Sequence, residues 1–281
     1  MKADLHLHST VSDGRLTPAA LVRLAAEKGL SVIAITDHDS VGGIDEAIVA
    51  AQPFPALKVI PGVELNTDIA NGEVHILGYF IDHQSQELKQ TLYSLRQSRS
   101  QRARQMIAKL DKLGIHVDWE RVKQIAGDGS IGRPHIALAM QEQGYISHLQ
   151  EAFNKYIGRR GPAYVERKRL TPVAAVQLVV RGGGLPVLAH PASLEHLDEL
   201  LEQLKRAGLV GLEAYYNGYS QPTIDWLVRI ADKYGLIITG GSDFHGLGDD
   251  NEAPIGGVDV PWDNVEQLVA LAQKSPAKLH P

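Results

Sequence analysis

Two histidines stand two residues apart near the start of the chain, in the stretch ADLHLHSTVSDG. Side chains alternate between the two faces of a β-strand, so His6 and His8 point to one face while Leu5 and Leu7 point to the other. The first ten residues therefore combine an imidazole face with an apolar face. Either the imidazole face is hydrated and idle, or one ligand binds both rings.

Further imidazoles and carboxylates gather near the C-terminal ends of the later apolar runs. They are Asp13 in the loop after the first run, Asp37, His38 and Asp39 in TDHDS, Glu64 in GVELN, His75 in EVHILGYF, His190 in AHP, and Asp243 and His245 in GSDFHG. Parallel α/β barrels build their active sites at this end of the strands, because the loops there can vary without disturbing the core. A single histidine at a strand end is more often a hydrogen-bonded structural residue. This many polar groups at one rim would be costly to bury unless a ligand satisfied them.

These residue types indicate a cluster of divalent metal ions. The chain has no cysteine, which excludes disulfides and thiolate catalysis and restricts the metal ligands to histidine and carboxylates. Neutral imidazole and carboxylate oxygen bind zinc, manganese and iron. The candidate ligands are enough for two or three ions, and we expect manganese, with zinc or iron as the alternatives.

Seven short apolar runs are expected to form the strands that position these side chains. They are KADLHLH, SVIAITD, KVIPGVEL, EVHILGYF, LPVLAH, LVGLEAYY and LIITGGSD. Several are nearly continuous apolar runs, which is typical of parallel strands covered on both faces. Thr17–Pro18 and Thr171–Pro172 have the residue types of a helix N-cap followed by the first helical position. Alternating strands and helices predict a parallel sheet, and seven units predict an α/β barrel.

One segment interrupts this alternation between the fourth and fifth strands. QELKQTLYSLRQSRSQRARQMIAKLDKLG has the pattern of one or two amphipathic helices ending at Gly114, and more helical pattern follows at RPHIALAMQEQG and HLQEAFNKYIG. We therefore expect residues 84–168 to form an inserted helical subdomain that caps the substrate. Residues 1–83 and 169–281 are expected to form the metal-binding barrel.

Basic residues are concentrated in this expected insertion. The whole chain of 281 residues carries a formal charge of −5, which argues against a broad cationic surface. Residues 85–170 contain 16 Lys and Arg against 8 Asp and Glu, whereas the remainder contains 12 against 25. A solvated helical face would explain this asymmetry equally well. Alternatively, a basic insertion on an acidic, metal-filled body would attract phosphorylated substrates.

The chain contains no stretch with the features of a targeting or membrane segment. Charged and polar residues interrupt the sequence from Lys2 onward, unlike a signal peptide, and LPVLA and LIIT are too short to cross a bilayer. We therefore expect a cytoplasmic protein without membrane contact, and we expect no obligate protein partner.

As an ordered set, DLHLHS, TDHD, GVE, AHP and GSDFH resemble the motifs of the PHP (polymerase and histidinol phosphatase) metallophosphoesterases. The resemblance runs from residue 4 to about residue 246 and implies a distorted (β/α)7 barrel with a trinuclear metal site. Within the insertion, IGRPHIA and YIGRRGPAYV are similar to the branch that removes the 3′-phosphate from nucleoside 3′,5′-bisphosphates and also trims RNA from 5′ to 3′. The implied substrate is a nucleotide or a short single-stranded RNA.

The resemblance distributes the candidate ligands over three ions. The sets it implies are His6, His8 and Asp243 for the first ion, His75 and His190 for the second, with Glu64 bridging these two, and Asp13, His38 and His245 for the third. Asp13 stands where the family sometimes has histidine, which suits the bisphosphatase branch. Asp37 and Asp39 flank a ligand, and we expect them to orient imidazoles by accepting hydrogen bonds.

Such a cluster would hydrolyse a phosphate ester without a covalent protein intermediate. Divalent ions lower the pKa of a bound water, neutralise phosphate oxygens and stabilise the leaving oxygen. No G-x-S-x-G elbow surrounds Ser9 or Ser12, so neither serine is expected to be a nucleophile. We expect in-line attack by a metal-bridging hydroxide held at Glu64.

Cations and one histidine are the candidate substrate contacts. Arg133 in IGRPHI is the first candidate, because a guanidinium binds phosphate oxygens in a bidentate way. His135 lies two positions later, and Arg15 lies just after Asp13. The remaining candidates are Lys155, Arg159 and Arg160. Each of these cations would equally suit an ordinary solvated surface.

Three other functions stay open at this point. The same fold would suit a histidinol-phosphate phosphatase or another small-molecule phosphatase, although the basic insertion would then have no purpose. A binuclear amidohydrolase usually lacks this order of motifs and seldom requires a third ion. A non-catalytic metal-binding accessory domain would usually have lost ligands, whereas the full set is present in this chain. We therefore expect metal-dependent hydrolysis of a nucleotide phosphate ester.

Overall fold

A nearly closed barrel of seven β-strands forms the centre of the fold in the computed structural model, which describes residues 1–69, 72–127, 131–166, 170–248 and 252–274. The strands follow one another around the barrel in sequence order. They are β1 (Ala3–Leu7), β2 (Val32–Ile35), β3 (Lys58–Ile69), β4 (Gly72–Tyr79), β5 (Leu185–Leu188), β6 (Gly211–Tyr216) and β7 (Ile237–Gly241). A bridge between Leu7 and Phe244 returns the chain after β7 to β1. The predicted α/β barrel is confirmed.

Ten α-helices accompany these strands in the described ranges. They are α1 (Pro18–Glu27), α2 (Ile44–Ala51), α3 (Gln86–Asp111), α4 (Trp119–Ala126), α5 (Arg133–Glu142), α6 (Leu149–Ala152), α7 (Pro172–Arg181), α8 (Leu197–Ala207), α9 (Gln221–Tyr234) and α10 (Trp262–Lys274). A π-helical turn, Phe153–Ile157, follows α6. The hydroxyls of Thr17 and Thr171 accept hydrogen bonds from the first turns of α1 and α7, each at 3.2 Å, as their N-cap positions predicted.

Strand β4 runs antiparallel to both of its neighbours, whereas the other neighbouring strands are parallel. The expectation of a wholly parallel sheet is therefore wrong. Strand β3 ends at Ile69 and β4 begins at Gly72, and the two residues between them are far too few for the crossover that parallel neighbours need. Reversal brings the N-terminal half of β4 to the rim where the other strands end. His75 lies in that half, opposite Asn66 of β3.

The chain divides into two compact units, Met1–Gln90 with Arg169–Pro281 as unit 1 and Thr91–Lys168 as unit 2. Unit 1 contains the barrel, and in β1 the buried apolar residues Ala3, Leu5 and Leu7 alternate with the buried polar residues Asp4 and His6. Unit 2 has a helical core of its own, which includes Met106, Leu110, Val122, Ile136 and Met140. None of the helices in the described ranges is long and apolar enough to span a membrane.

Gly241 at the end of β7 allows a close approach between β7 and β1. A Cβ atom added to Gly241 would lie 2.5 Å from the backbone nitrogen of His6, a distance that real side chains do not tolerate. Glycine at this position therefore lets the last strand pack against the first strand beside one of the candidate metal ligands.

Replacing Gly241 with alanine is expected to lower the free energy of unfolding by about 1–3 kcal/mol, because the added methyl group must displace the backbone of β1. Gly182→Ala is the matched control. An added Cβ at Gly182 meets its nearest atoms at 3.4 Å, and φ is −74° there, so the change should stay within about 0.5 kcal/mol. Urea denaturation followed by circular dichroism measures both variants. If Gly241→Ala and Gly182→Ala lowered the free energy of unfolding equally, the close approach between β7 and β1 at Gly241 would be contradicted.

Candidate metal centre

Imidazoles and carboxylates from six of the seven strands and the loops after them converge at one rim of the barrel. Their ligand atoms form three overlapping groups, and within each group the atoms lie within 4.8 Å of one another. The groups are His8, Asp13, His38 and His245; His6, His8, Glu64 and Asp243; and Glu64, His75 and His190. The nine residues that the sequence analysis proposed as metal ligands all lie in these groups.

The buried carboxylate of Glu64 lies at the centre of the cluster and faces five imidazoles. Its Oε1 atom lies 2.8 Å from His75 Nδ1 and 3.2 Å from His190 Nε2. The contacts of Oε2 are with His38 Nδ1 at 2.9 Å, His8 Nε2 at 3.2 Å and His6 Nε2 at 3.4 Å. Each oxygen therefore faces a different set of rings, which is the geometry that a carboxylate bridging two cations requires.

Several buried polar atoms of this cluster have no hydrogen-bond partner within the described part of the chain. They are His6 Nε2, His8 Nε2, His75 Nε2, Asp13 Oδ1 and Glu64 Oε2. A buried polar atom without a partner is costly, and native proteins have few of them. A divalent cation accepts lone pairs from imidazole nitrogens and carboxylate oxygens together. The donor set and the unsatisfied atoms therefore fit metal ions.

The electrostatics of the cluster favour positive charge. Burial raises the pKa of the carboxyl groups of Glu64, Asp13 and Asp243, but the neighbouring imidazoles outweigh burial and hold each pKa well below its usual range. Burial by itself would lower the pKa of His8, but the hydrogen bonds and charges of Asp243 and Glu64 outweigh burial and raise this pKa to about 10. Ionised carboxylates thus create a negative potential in a water-poor site, and this potential stabilises a bound cation.

The backbone is strained at three residues that follow strands at this rim. Asp39, His190 and Asp243 follow β2, β5 and β7 and have positive φ angles of 49°, 27° and 54°. Residues other than glycine adopt such angles rarely and at a cost. The surrounding structure therefore holds these turns in place, and two of the three residues are candidate metal ligands.

Sequence reasoning missed several polar residues that hold the candidate ligands. Glu213 Oε1 lies 3.0 Å from His6 Nδ1, and Asn66 Nδ2 lies 2.9 Å from His38 Nδ1. Tyr216 donates a hydrogen bond from its hydroxyl to Asp243 Oδ2 at 2.7 Å. One signal was present in the sequence: Glu213 is a single carboxylate inside the apolar run LVGLEAYY, and a charge in a buried strand needs a partner.

Two further carboxylates anchor the backbone that carries the ligands. Asp4 is buried in β1 and accepts hydrogen bonds from Ser242 N at 2.9 Å, Ser242 Oγ at 2.6 Å and Gly256 N at 2.8 Å. Glu252 accepts from the backbone nitrogens of His245 and Gly246 at 2.6 and 2.8 Å. Both carboxylates fix the segment that follows β7, which carries Asp243 and His245.

Asp37 has a different role from the one we expected. Its carboxylate accepts hydrogen bonds from Ser9 N, Ser9 Oγ and Ser12 Oγ, each at 2.7 Å. The link to an imidazole passes through Ser12 Oγ, which lies 3.5 Å from His8 Nδ1. Asp37 therefore anchors the loop after β1, because that loop places three donors around its buried carboxylate. Asp39 Oδ1 accepts a hydrogen bond from Asn66 N at 3.2 Å, in the strand that carries Glu64.

The candidate substrate contacts lie in both units. In unit 1, Arg15 is exposed, and its backbone nitrogen donates to His245 O at 2.7 Å, so it is tied to a candidate ligand. In unit 2, Arg133 begins α5, and its guanidinium lies over the ring of Phe153. His135 is buried, and its Nδ1 accepts from Gly132 N at 2.9 Å, which caps α5.

The other three candidate cations of unit 2 lie in or just after the π-helical turn. Lys155 is exposed and pairs with Glu151 at 2.6 Å. Arg159 and Arg160 are exposed residues in the turn that follows. Lys155 is already paired with Glu151, which balances its charge. Among the candidate phosphate contacts, Lys155 therefore has the weakest structural support.

Asp37→Asn is expected to lower the free energy of unfolding by about 1–3 kcal/mol, because one buried donor of the loop after β1 would lose its acceptor. Asp45→Asn is the control, since the Asp45 side chain is 71% exposed and the change should stay within about 0.5 kcal/mol. Urea denaturation measures both. An unchanged stability in Asp37→Asn would contradict the anchoring role of this carboxylate.

Comparisons with known proteins agree with the geometry of the rim. The family model described as PHP domain matches residues 4–168. A 3′,5′-nucleoside bisphosphate phosphatase of Chromobacterium violaceum is 35% identical over 254 residues, which cover 88% of this chain and 88% of that protein. A 5′-3′ exoribonuclease of Haemophilus influenzae is 34% identical over 248 residues, covering 87% of this chain and 90% of that protein.

A solved structure has the same fold over almost the whole chain. It is a protein of Bifidobacterium adolescentis with a provisional description as a metal-dependent phosphoesterase. It is 29% identical, covers 95% of each chain and superposes with a TM-score of 0.85. The motif order, the converging ligand groups and these similarities agree, and the chain belongs to the PHP domain family of metal-dependent phosphoric ester hydrolases.

Proposed function

We propose that this chain removes a phosphate group from nucleotides, with the 3′-phosphate of nucleoside 3′,5′-bisphosphates as the principal target. Trimming of short single-stranded RNA from its 5′ end is the second activity that we propose. The observation that carries the proposal is the convergence of five imidazoles on Glu64. The names of the two relatives, each similar over most of its length, support the choice of substrate.

We propose that the nine residues of the three groups hold two or three divalent ions, with manganese preferred over zinc or iron. When bound, such ions polarise water and phosphate oxygens and so supply the nucleophile and the charge stabilisation that phosphoester hydrolysis needs. Glu64 would be shared between two ions, because its oxygens face different rings. The chain itself supplies preorganised ligands, which need little rearrangement when the ions bind.

The chain's own polar groups would orient these ligands and bind the substrate. Tyr216 holds one oxygen of Asp243 by its hydrogen bond, which leaves Oδ1 to face His6 and His8 at 3.3 and 3.1 Å. Arg15, exposed next to the backbone of His245, is the candidate phosphate contact in unit 1.

The insertion of residues 84–168 is proposed to contribute to substrate binding. This part of the proposal rests on the excess of Lys and Arg in residues 85–170 and on the motif that contains Arg133. Arg133, with His135, Lys155, Arg159 and Arg160, stays a proposed set of phosphate contacts. The structure gives His135 a second role, since it caps the helix that Arg133 begins.

Purified protein supplied with manganese is expected to release inorganic phosphate from a nucleoside 3′,5′-bisphosphate faster than from histidinol phosphate. Chelation of divalent ions should abolish this release, and 5′-phosphorylated oligoribonucleotides should be shortened from the 5′ end. Phosphate release and gel electrophoresis measure the two activities. Equal rates on histidinol phosphate would favour a general small-molecule phosphatase, and no turnover of any of the three substrates by metal-loaded protein would refute the proposal.

Arg15→Ala is expected to raise KM for the bisphosphate by about 10-fold with little change in kcat, because a lost charge-assisted hydrogen bond to phosphate weakens binding. Arg23→Ala is the matched control, since Arg23 is an exposed arginine on α1. Steady-state kinetics measure both variants. The same KM in Arg15→Ala as in Arg23→Ala would exclude Arg15 as a phosphate contact.

A further inference from the structure

Strand β6 contributes no member to the three candidate ligand groups, yet it places a carboxylate directly behind them. Glu213 lies in the middle of β6 and has no exposed surface. A buried carboxylate is costly unless donors surround it. The donors that Glu213 contacts identify what this charge does in the fold.

Each oxygen of Glu213 contacts a residue from a different ligand group. Oε1 lies 3.0 Å from His6 Nδ1, and Oε2 accepts a hydrogen bond from the backbone nitrogen of His190 at 2.8 Å. His6 belongs to the group with His8, Glu64 and Asp243, whereas His190 belongs to the group with His75. One side chain therefore touches both of the groups that Glu64 joins from the opposite side.

The contact with His6 selects the form of its ring. An ionised carboxylate oxygen only accepts, so the proton lies on Nδ1, and the lone pair of a neutral ring lies on Nε2. That Nε2 atom lies 3.4 Å from Glu64 Oε2 and 3.3 Å from Asp243 Oδ1, and it has no hydrogen-bond partner within the described residues. Glu213 thereby turns the free lone pair of His6 toward the place where an ion would bind.

The contact with His190 holds a strained backbone. His190 has a φ angle of 27°, which a residue with a side chain seldom adopts. The hydrogen bond from its N–H to Glu213 fixes this conformation. Its ring Nε2 then lies 3.2 Å from Glu64 Oε1 and 3.2 Å from His75 Nδ1.

We infer that Glu213 is a positioning residue that prepares two metal sites together, through the ring of His6 and the backbone of His190. This inference rests on the proposed metal-dependent function. It assigns Glu213 no contact with the substrate. A hydrogen-bond partner of a metal-binding histidine fixes the ring and increases its basicity, and its loss usually lowers metal affinity by about 10- to 100-fold.

Glutamine in place of Glu213 separates this role from simple packing. The amide has nearly the same size but only one accepting oxygen, while both of its neighbours are donors. Either the N–H of His190 loses its acceptor, or the His6 ring must place its proton on Nε2, where it blocks metal binding. A side chain that only filled space would tolerate the change with no effect on the ions.

The test measures Mn²⁺ binding by isothermal titration calorimetry in the full-length wild type and three variants. In Glu213→Gln we expect two ions to bind about 10- to 100-fold more weakly. In Asn66→Ala, which removes the side chain whose Nδ2 lies 2.9 Å from His38 Nδ1, only one ion should bind more weakly. Glu202→Gln is the control on α8, where the side chain is 60% exposed, and it should bind Mn²⁺ as the wild type does.

Nitrogen NMR of the Zn²⁺-loaded protein gives a second readout that a packing role would not move. In the wild type we expect the Nδ1 of His6 to carry the proton, and in Glu213→Gln this signal should shift or be lost. Glu213→Asp keeps the charge but shortens the side chain, so it should retain the fold and still weaken Mn²⁺ binding. If Glu213→Gln does not fold, Glu213→Asp decides the question.

The outcomes separate the inference from the proposed function. Wild-type protein that binds no divalent ion would refute the proposed function itself. Wild-type protein that binds Mn²⁺, together with folded Glu213 variants that bind it with unchanged affinity and with an unchanged His6 signal, would overturn the inference alone. If only one ion binds more weakly in Glu213→Gln, the inference that Glu213 prepares two sites together is overturned.

Discussion

The rim of this barrel is organised around the burial of one carboxylate, Glu64, among five imidazoles. In a water-poor interior this arrangement is stable only if positive charge balances the carboxylates and if the ring nitrogens find electron acceptors. Metal ions meet both requirements at once. Part of the geometry of unit 1 follows from this condition, because β1, β2, β4 and β5 must bring their rings to one rim to reach the carboxylate on β3.

A second set of carboxylates supports the first without belonging to the ligand groups. Asp4, Asp37, Glu213 and Glu252 each accept hydrogen bonds from backbone nitrogens that hold the chain beside a candidate ligand. These contacts are charge-assisted hydrogen bonds, which are stronger than hydrogen bonds between neutral groups. These hydrogen bonds reduce the cost of burying Asp4, Asp37 and Glu213, and they hold the backbone near His190 and Asp243, where φ is positive. The same side chains thus position the backbone beside the candidate ligands in both the loop after β1 and the segment after β7.

Much of the fold followed from local patterns in the sequence. The seven apolar runs became the seven strands, and Thr17 and Thr171 became helix caps, because these signals depend on neighbouring residues alone. The direction of β4 was predicted wrongly, although Asn71 and Gly72, where the two apolar runs meet, are residue types that favour turns. The role of Asp37 also differed, because its partners Ser9 and Ser12 lie far from it in the sequence.

The sequence by itself determined the chemistry of this protein, since residue types limit what can bind: histidines and carboxylates without cysteine define a class of metal ligands, and their order along the chain defines a family. Only the tertiary structure decided which of these residues share an oxygen, which ring nitrogen faces inward and which carboxylates lie behind the ligands. Those facts depend on strands far apart in sequence, such as β1, β3 and β6, whose side chains come within hydrogen-bond distance of one another. No local pattern contains that information, because the contact between His6 and Glu213 joins residues 207 positions apart.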